Sequence, residues 1–264
     1  MNAIELGPLV LSGERFAIIV GVAVFLLGSS LLASRVSPRF NPWSTVAVLA
    51  GLGAARLAHV VANWSYFADD PLRAAAVWQG GFIWPWALLP VAVATIVLLR
   101  ERRLMLWAAA PVIACVVAWT ATERLTSGTE PTPAPAMVLA DLDGGAVNLA
   151  AVDGRPTVIN LWATWCPPCR REMPALARAQ DAHPDVRFLF VNQGEGQAQV
   201  AGWLEEAGLE VENVLLDRAM AVPRHYGTVG LPVTLFLGVD GRLAKAHVGE
   251  IAPEQIDAEI ARLR

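Results

Sequence analysis

Charge is scarce in this chain. Asp, Glu, Lys and Arg make up only 17% of its 264 residues, while 55% are hydrophobic and the mean hydropathy is +0.46. A soluble globular domain carries about 25% charged residues. The balance excludes dominant disorder and a wholly soluble globular chain. Basic residues are in no excess: 24 acids face 20 bases, a formal net charge of -4, which excludes a basic nucleic-acid binder. Cysteine is rare as well. Three in this length cannot staple a disulfide-dense scaffold. No internal repeat is present. No basic stretch precedes the first apolar run, so that run reads as a retained helix rather than a cleaved signal peptide.

What is present falls into two unlike halves. Residues 1–136 carry nine Arg against seven acids, and residues 137–264 carry eleven bases against seventeen acids. Seven of the ten Trp lie in the first half. Four apolar runs stand there, roughly Phe16–Ala33, Trp43–Ala62, Gly80–Leu99 and Leu104–Thr122. Each has the length of about 18–20 residues that a helix needs to cross the hydrocarbon core. The expectation is an α-helical membrane domain of about four transmembrane helices over residues 1–122, the third kinked at Pro85 and Pro90. Positive charge collects on alternate loops. Arg35 and Arg39 lie in one, Arg100, Arg102 and Arg103 in another, whereas Asp69 and Asp70 lie between them. The positive-inside rule puts the Arg-bearing loops in the cytoplasm and both termini outside.

Arg56 sits inside the second run, where a charge costs at least about 2.5–3.5 kcal/mol. It therefore reads as a functional or partnered residue. Its partner is a lipid phosphate, or a carbonyl or Asp within the bundle. Gly7-Pro8, Gly53-Ala54-Ala55-Arg56-Leu57-Ala58, Tyr66-Phe67 and Trp78-Gln79-Gly80-Gly81 resemble the N-terminal part of the prolipoprotein diacylglyceryl transferases, over about residues 6–90. The pattern departs after Gly81. The family continues with His-Gly-Gly, whereas Phe82-Ile83-Trp84-Pro85-Trp86-Ala87 follows here. The family's later half, with its catalytic arginines, has no counterpart. The resemblance implies an inactive remnant serving as a membrane platform.

Residues 123–136 contain Pro131, Pro133 and Pro135, a pattern expected to form a semi-rigid polyproline II linker. Residues 137–264 then suffice for one compact domain. Met137–Leu142 and Val147–Leu149 flank Asp143-Gly144-Gly145 as a hairpin. Pro156–Ala163 reads as a buried central strand, Val186–Asn192 as another and Val214–Leu216 as a short one. Helices are expected at about Pro167–Ala182, at Gln197–Ala207 with Gly208 as its stop, and at Pro253–Leu263. Val233–Leu237 and Leu243–Val248 form a second hairpin through Asp240-Gly241. The alternation, βαβ followed by ββα on one sheet, gives an α/β domain.

Its chemical centre is Trp165-Cys166-Pro167-Pro168-Cys169. Two Cys three apart on the first turn of a helix lie on one face and within reach of a disulfide. Unpaired N–H groups and the helix dipole stabilise a thiolate at the first of them, the species that attacks a disulfide sulfur. A zinc site would need a second ligand pair. The half has no third Cys, and His183, His225 and His247 are isolated. No metal and no cofactor are expected.

This half resembles the thioredoxin superfamily, specifically the membrane-tethered TlpA/ResA-like thiol-disulfide oxidoreductases. The matching residues are Val158-Ile159-Asn160-Leu161-Trp162-Ala163-Thr164-Trp165-Cys166-Pro167-Pro168-Cys169-Arg170-Arg171-Glu172-Met173-Pro174, then Val191-Asn192 and Val229-Gly230-Leu231-Pro232-Val233-Thr234. The resemblance implies that Cys166 is the nucleophile and Cys169 the resolving thiol. Pro232 is then a cis-proline that presents backbone at Leu231 to an extended substrate strand, and Pro174 kinks the active-site helix. Asn160 stands where thioredoxins carry a buried Asp and cannot shuttle a proton. Glu172 takes the place of the active-site Glu of ResA-like proteins, on the same helix face as Cys169, and is expected to assist proton transfer at that thiol. The opposing expectation for Glu172 is a solvated carboxylate beside Arg171.

No His stands between the two Cys. Its absence favours a reductant or mild exchanger over a strong oxidant. Cys115 has no second thiol in residues 1–136 to relay electrons with, so it reads as a small apolar residue in a helix. Electrons must then come from another membrane protein, by resemblance a DsbD- or CcdA-like donor. The expected setting is the bacterial inner membrane, with the α/β domain on the periplasmic or extracytoplasmic side. The expected substrates there are disulfide-containing proteins such as apocytochrome c or copper-site proteins. Two other readings compete: a tethered module that binds thiol proteins without turnover, and diacylglyceryl transfer. The intact Cys pair argues against the first. The missing His and missing second half argue against the second. A peroxiredoxin is disfavoured because it does not need this Cys spacing.

Overall fold

In a computed structural model, residues 4–6, 9–11, 13–68, 70–126 and 131–264 are described. Gly7-Pro8, Asp69 and residues 127–130 of the expected linker lie outside them. Ile4–Leu6 (β1) and Leu9–Leu11 (β2) form a small antiparallel ribbon. The chain divides into two compact units.

The helical unit is built on α1 (Gly13–Arg35), α2 (Phe40–Ala62) and α5 (Arg102–Thr126). All three are long and apolar enough to cross a membrane. Between α2 and α5 lie α3 (Trp64–Phe67) and α4 (Leu88–Ala94). Short 3-10 turns at Pro71–Ala75, Val77–Gln79 and Trp84–Ala87 surround them. Small residues let α1 approach α5 closely: a Cβ on Gly28 would stand 3.2 Å from the Cβ of Pro111. The unit's core gathers Phe25, Phe40, Trp43, Leu99 and Leu104. The Trp43 ring lies 5.3 Å from that of Phe25, and its indole N–H donates to Thr95 Oγ1 at 3.0 Å.

The third apolar run is not the single kinked span expected. Gly80 and Gly81 take φ of 83° and 77°, so helix begins only at Trp84. Pro85 and Pro90 cannot donate to preceding carbonyls. The run passes from a 3-10 turn through α4 into a π-helical turn at Thr95–Leu99. At 1.5 Å per residue, Trp84–Leu99 reaches about 24 Å, short of the roughly 30 Å core. Three long helices and one broken segment replace the four equal spans. Arg56 meets carbonyls: Nε donates to Ala74 O, Nη1 to Gly80 O and Gly81 O, and Nη2 to Arg73 O, at 2.6–3.1 Å. The guanidinium also stands over the Phe67 ring.

The second unit carries a seven-stranded sheet. Its strands are β3 (Val138–Asp141), β4 (Ala146–Asn148), β5 (Thr157–Trp162), β6 (Arg187–Gln193), β7 (Val214–Asp217), β8 (Val233–Leu237) and β9 (Leu243–Val248). The order is β4-β3-β7-β6-β5-β8-β9. β5, β6 and β7 run parallel, and β8 joins β5 antiparallel. Every residue of β5 is buried, as its largely apolar run requires for a strand covered on both faces. The helices are α6 (Pro167–Ala182), α7 (Gln197–Ala207), α8 (Ala221–Tyr226) and α9 (Pro253–Leu263). Gly208 ends α7 in the left-handed region at φ 62°.

The proline-rich stretch is in large part not a free spacer. Residues up to Thr126 continue α5. Beyond the undescribed residues, Pro131–Ala134 lies along the β8–β9 hairpin. Leu243 N donates to Thr132 O, Ala134 N to Gly241 O, and Arg242 Nη1 to Pro131 O. Alternation makes this possible, because each intervening residue keeps the N–H that proline lacks.

Candidate active site

The sheet aims one loop at the chemistry. β5 ends at Trp162, and the chain turns through Ala163-Thr164-Trp165 into α6. Cys166 is the N-cap of α6 with extended backbone, φ -90° and ψ 105°. Pro167 follows at the first helical position, where its missing N–H costs nothing. Cys166 and Cys169 are joined in a disulfide with Cα atoms 5.3 Å apart. The backbone N–H of Cys169 donates to Cys166 Sγ at 3.3 Å. Cys169 is fully buried and Cys166 nearly so, while Trp165 beside them is exposed.

Register brings in the next element. Leu161 pairs with Val233, so Pro232 enters β8 at the end of β5 from which the chain runs to Cys166. The Leu231–Pro232 peptide is cis.

Glu172 is not the solvated carboxylate of the opposing expectation. It is 2% exposed. The Ile251 N–H donates to its Oε2 at 2.9 Å, and Asn160 Nδ2 donates to its Oε1 at 2.8 Å. Asn160 Nδ2 also donates to Thr234 Oγ1 at 3.1 Å, its cross-strand partner on β8. Burial pushes the Glu172 carboxyl up to about 8, outweighing the two donors that favour its charged form. Glu250 adds to the rise and Arg171 opposes it. These two are themselves paired, Arg171 Nε and Nη2 donating to Glu250 Oε2 at 2.9 and 2.5 Å. Adjacent residues of α6 thus hold adjacent residues of the loop after β9.

Sequence reasoning missed Glu195. This buried carboxylate stands just after β6 and accepts four hydrogen bonds. Thr164 donates from backbone N and from Oγ1 at 2.7 and 2.5 Å, Asn192 Nδ2 at 2.7 Å and Gln199 Nε2 at 2.5 Å. It ties the loop carrying Trp165 and Cys166 to β6 and α7. The available signal was an acid two residues past a buried strand, after a glycine with φ 78°. Asn160 was noted only for what it lacks, and Thr234 only as part of a matching stretch. Among the described residues, no group of three or more His, Cys, Asp or Glu could hold a metal ion.

Residues 129–261 match the redoxin family model, and residues 2–123 match the prolipoprotein diacylglyceryl transferase model. The thiol-disulfide oxidoreductase ResA of Halalkalibacterium halodurans is 30% identical over 122 residues, covering 46% of this chain and 69% of that protein. ResA of Geobacillus thermodenitrificans is 32% identical over 133 residues, covering 50% and 76%. Among solved structures, a thioredoxin-family thiol:disulfide interchange protein from Chlorobium tepidum aligns at 24% identity and a TM-score of 0.46, over 52% of this chain and 98% of that one. With a bonded Cys pair at the head of a helix and relatives of one chemistry, the chain belongs to the redoxin family, as a thiol-disulfide oxidoreductase with a membrane-helix domain before it.

Proposed function

We propose that this oxidoreductase is a reductase of protein disulfides on the extracytoplasmic face of a bacterial inner membrane. Residues 1–122 anchor it and residues 137–264 carry the chemistry. The observation that supports this most is the placement of Cys166. It caps a helix, next to an exposed Trp, with Cys169 buried one turn on. Helix dipole and N–H donors favour the Cys166 thiolate once the pair is reduced.

The cycle balances as follows. Cys166 thiolate attacks a substrate disulfide, and one substrate sulfur leaves as thiolate. A mixed disulfide between Cys166 and the second substrate sulfur remains. Cys169 gives its proton to the Glu172 carboxylate and attacks Cys166 Sγ, expelling that sulfur. Two electrons have passed to the substrate, and the Cys166–Cys169 disulfide is restored. A membrane dithiol donor, DsbD- or CcdA-like by resemblance, reduces it again. Pro232 leaves the Leu231 backbone open to pair with an extended substrate segment. Oxidised apocytochrome c and copper-site proteins are the substrates the resemblance favours.

Sidedness rests on the arginine-bearing loops at 34–42 and 100–103 being cytoplasmic. The Trp84–Leu99 segment then crosses as a short, broken span, accommodated by local thinning of the bilayer. Insulin reduction by the full chain in lipid nanodiscs tests the activity. It should occur with wild type and vanish in Cys166→Ser. A wild type without activity favours a binding module instead. Cys169→Ala in cells should stall as mixed disulfides through Cys166, whose captured partners name the substrates.

A further inference from the structure

We infer that Asn160 is a positioning residue whose side-chain amide turns over with the protonation of Glu172, so that one partner serves both states of the carboxyl. The inference rests on the reading of Glu172 as the proton acceptor for Cys169.

Donors to Glu172 are set as a carboxylate requires, one on each oxygen: the Ile251 N–H on Oε2 and Asn160 Nδ2 on Oε1. A protonated carboxyl must instead donate from one of its oxygens. The Ile251 N–H is backbone and cannot accept from a proton on Oε2, whereas the partner of Oε1 is a side-chain amide that carries an acceptor as well. On Oε1, facing Asn160, the proton has a partner that can rearrange. There it meets an NH2 group, donor against donor, unless the amide rotates.

Two features of the site fit such a rotation. Asn160 is 1% exposed, and its Oδ1 is buried with no hydrogen-bond partner, so no bond opposes rotation at that end. Its Nδ2 spends both hydrogens, on Glu172 Oε1 and on Thr234 Oγ1. After a half-turn, Oδ1 occupies that position and its two lone pairs accept from both neighbours. Glu172 Oε1–H is one donor. The Thr234 hydroxyl, able to donate as well as accept, is the other. One amide hydrogen pair is exchanged for one pair of acceptor sites, with a single unpartnered end in each state. An Asp at position 160 would add a second buried negative charge beside Glu172, and an apolar residue would serve neither state.

The groups facing Glu172 are few. Cys169 and Arg171 share its helix, Glu250 and Ile251 come from the loop after β9, and β5 and β8 contribute the uncharged Asn160 and Thr234. Placed near 8 by burial, the carboxyl changes state in a range where the oxidised protein is readily studied.

The test uses the oxidised full chain in lipid nanodiscs. The Glu172 carboxyl is followed by carbon-13 NMR and identified by its loss in Glu172→Gln. The Asn160 side-chain amide is followed by nitrogen-15 NMR and identified by its loss in Asn160→Ser. The Asn160 amide signal should change with the same midpoint as the Glu172 carboxyl, and should be fixed at all pH values in Glu172→Gln. In Asn160→Leu the carboxyl midpoint should stay within about half a pH unit, since a partner is lost from both states. A purely donating Asn160 would instead raise it by about one to two units. An amide signal that keeps one environment through the carboxyl titration overturns the inference, whatever the Leu variant does or whether it folds. A disulfide-reduction pH profile left unchanged by Glu172→Gln would overturn the role of Glu172 while leaving the amide rotation standing.

Discussion

Replacing Glu172 by Gln should remove a pH dependence of stability that the wild type carries in the oxidised state. The carboxyl has its ordinary value, 4.5, in the unfolded chain and about 8 in the folded one, because burial penalises the charged form. Between those values the unfolded chain has released the proton and the folded chain still holds it. The unfolded state then binds fewer protons, so stability falls as pH rises. Below about pH 4.5 both states are protonated and the group contributes nothing. Above about 8 both are ionised and the penalty is constant. The full penalty is about 5 kcal/mol, at about 1.36 kcal/mol per pH unit, an upper bound because water entering on local opening relieves part of it. Hydrogen–deuterium exchange of the full chain in nanodiscs, corrected for intrinsic exchange, reads this locally. The Ile251 amide is the natural reporter, since it bonds directly to Glu172 Oε2. Wild-type protection across α6 and residues 250–256 should fall by up to about three decades between pH 5 and pH 9, while Glu172→Gln stays flat. Parallel curves for the two proteins would show that folding does not hold this proton, and the reasoning would fail.

Three further outcomes follow from named contacts. Glu195→Ala strips the partner from three buried donors, the Thr164 N–H and hydroxyl and the Asn192 amide, and one bond from the exposed Gln199. At about 1–3 kcal/mol for an orphaned buried group, it should lower the unfolding midpoint of the α/β domain in calorimetry and slow insulin reduction. The inflection set by Glu172 should not move. Arg171→Ala removes the guanidinium paired with the buried Glu250 carboxylate and with it one of the groups that oppose the Glu172 rise. The exchange midpoint assigned to Glu172 should move above that of wild type. Arg56→Lys replaces a fork that bonds four carbonyls with a single ammonium. Thermal denaturation in detergent should then begin several degrees lower, read by tryptophan fluorescence of the Trp-rich helical unit.

Local patterns carried most of the architecture. A largely apolar run of eight residues announced β5, and Cys-Pro-Pro-Cys announced a helix start with a thiol on its cap. In both, the deciding contacts lie within a turn or a strand length. α8 escaped notice because Ala221–Tyr226 is six residues long, contains Pro223 and shows no period. The third apolar run misled for a different reason. Hydropathy counts side chains, whereas Gly80, Gly81, Pro85 and Pro90 act through the backbone. The Pro-rich stretch misled because its partner, the turn at Gly241-Arg242, lies more than 100 residues away. Helix periodicity put Glu172 on the helix face of Cys169 but could not show its burial, which depends on Ile251, 79 residues on.

Two buried carboxylates, Glu195 and Glu172, differ in how their oxygens are met, and that difference sorts their tasks. Glu195 has two donors on each oxygen: the Thr164 N–H and Asn192 on Oε2, and the Thr164 hydroxyl and Gln199 on Oε1. With every lone pair engaged, the group suits an anchor for the loop that carries Cys166. Glu172 has one donor on each oxygen, and one of these is an amide able to present its other end. A proton there meets a partner that can rearrange. An anchor and an exchangeable acid therefore arise from the same residue type within one domain. They are distinguished by donor count and by whether the donor is fixed backbone or a rotatable side chain, and neither property can be read from the identity of a single position.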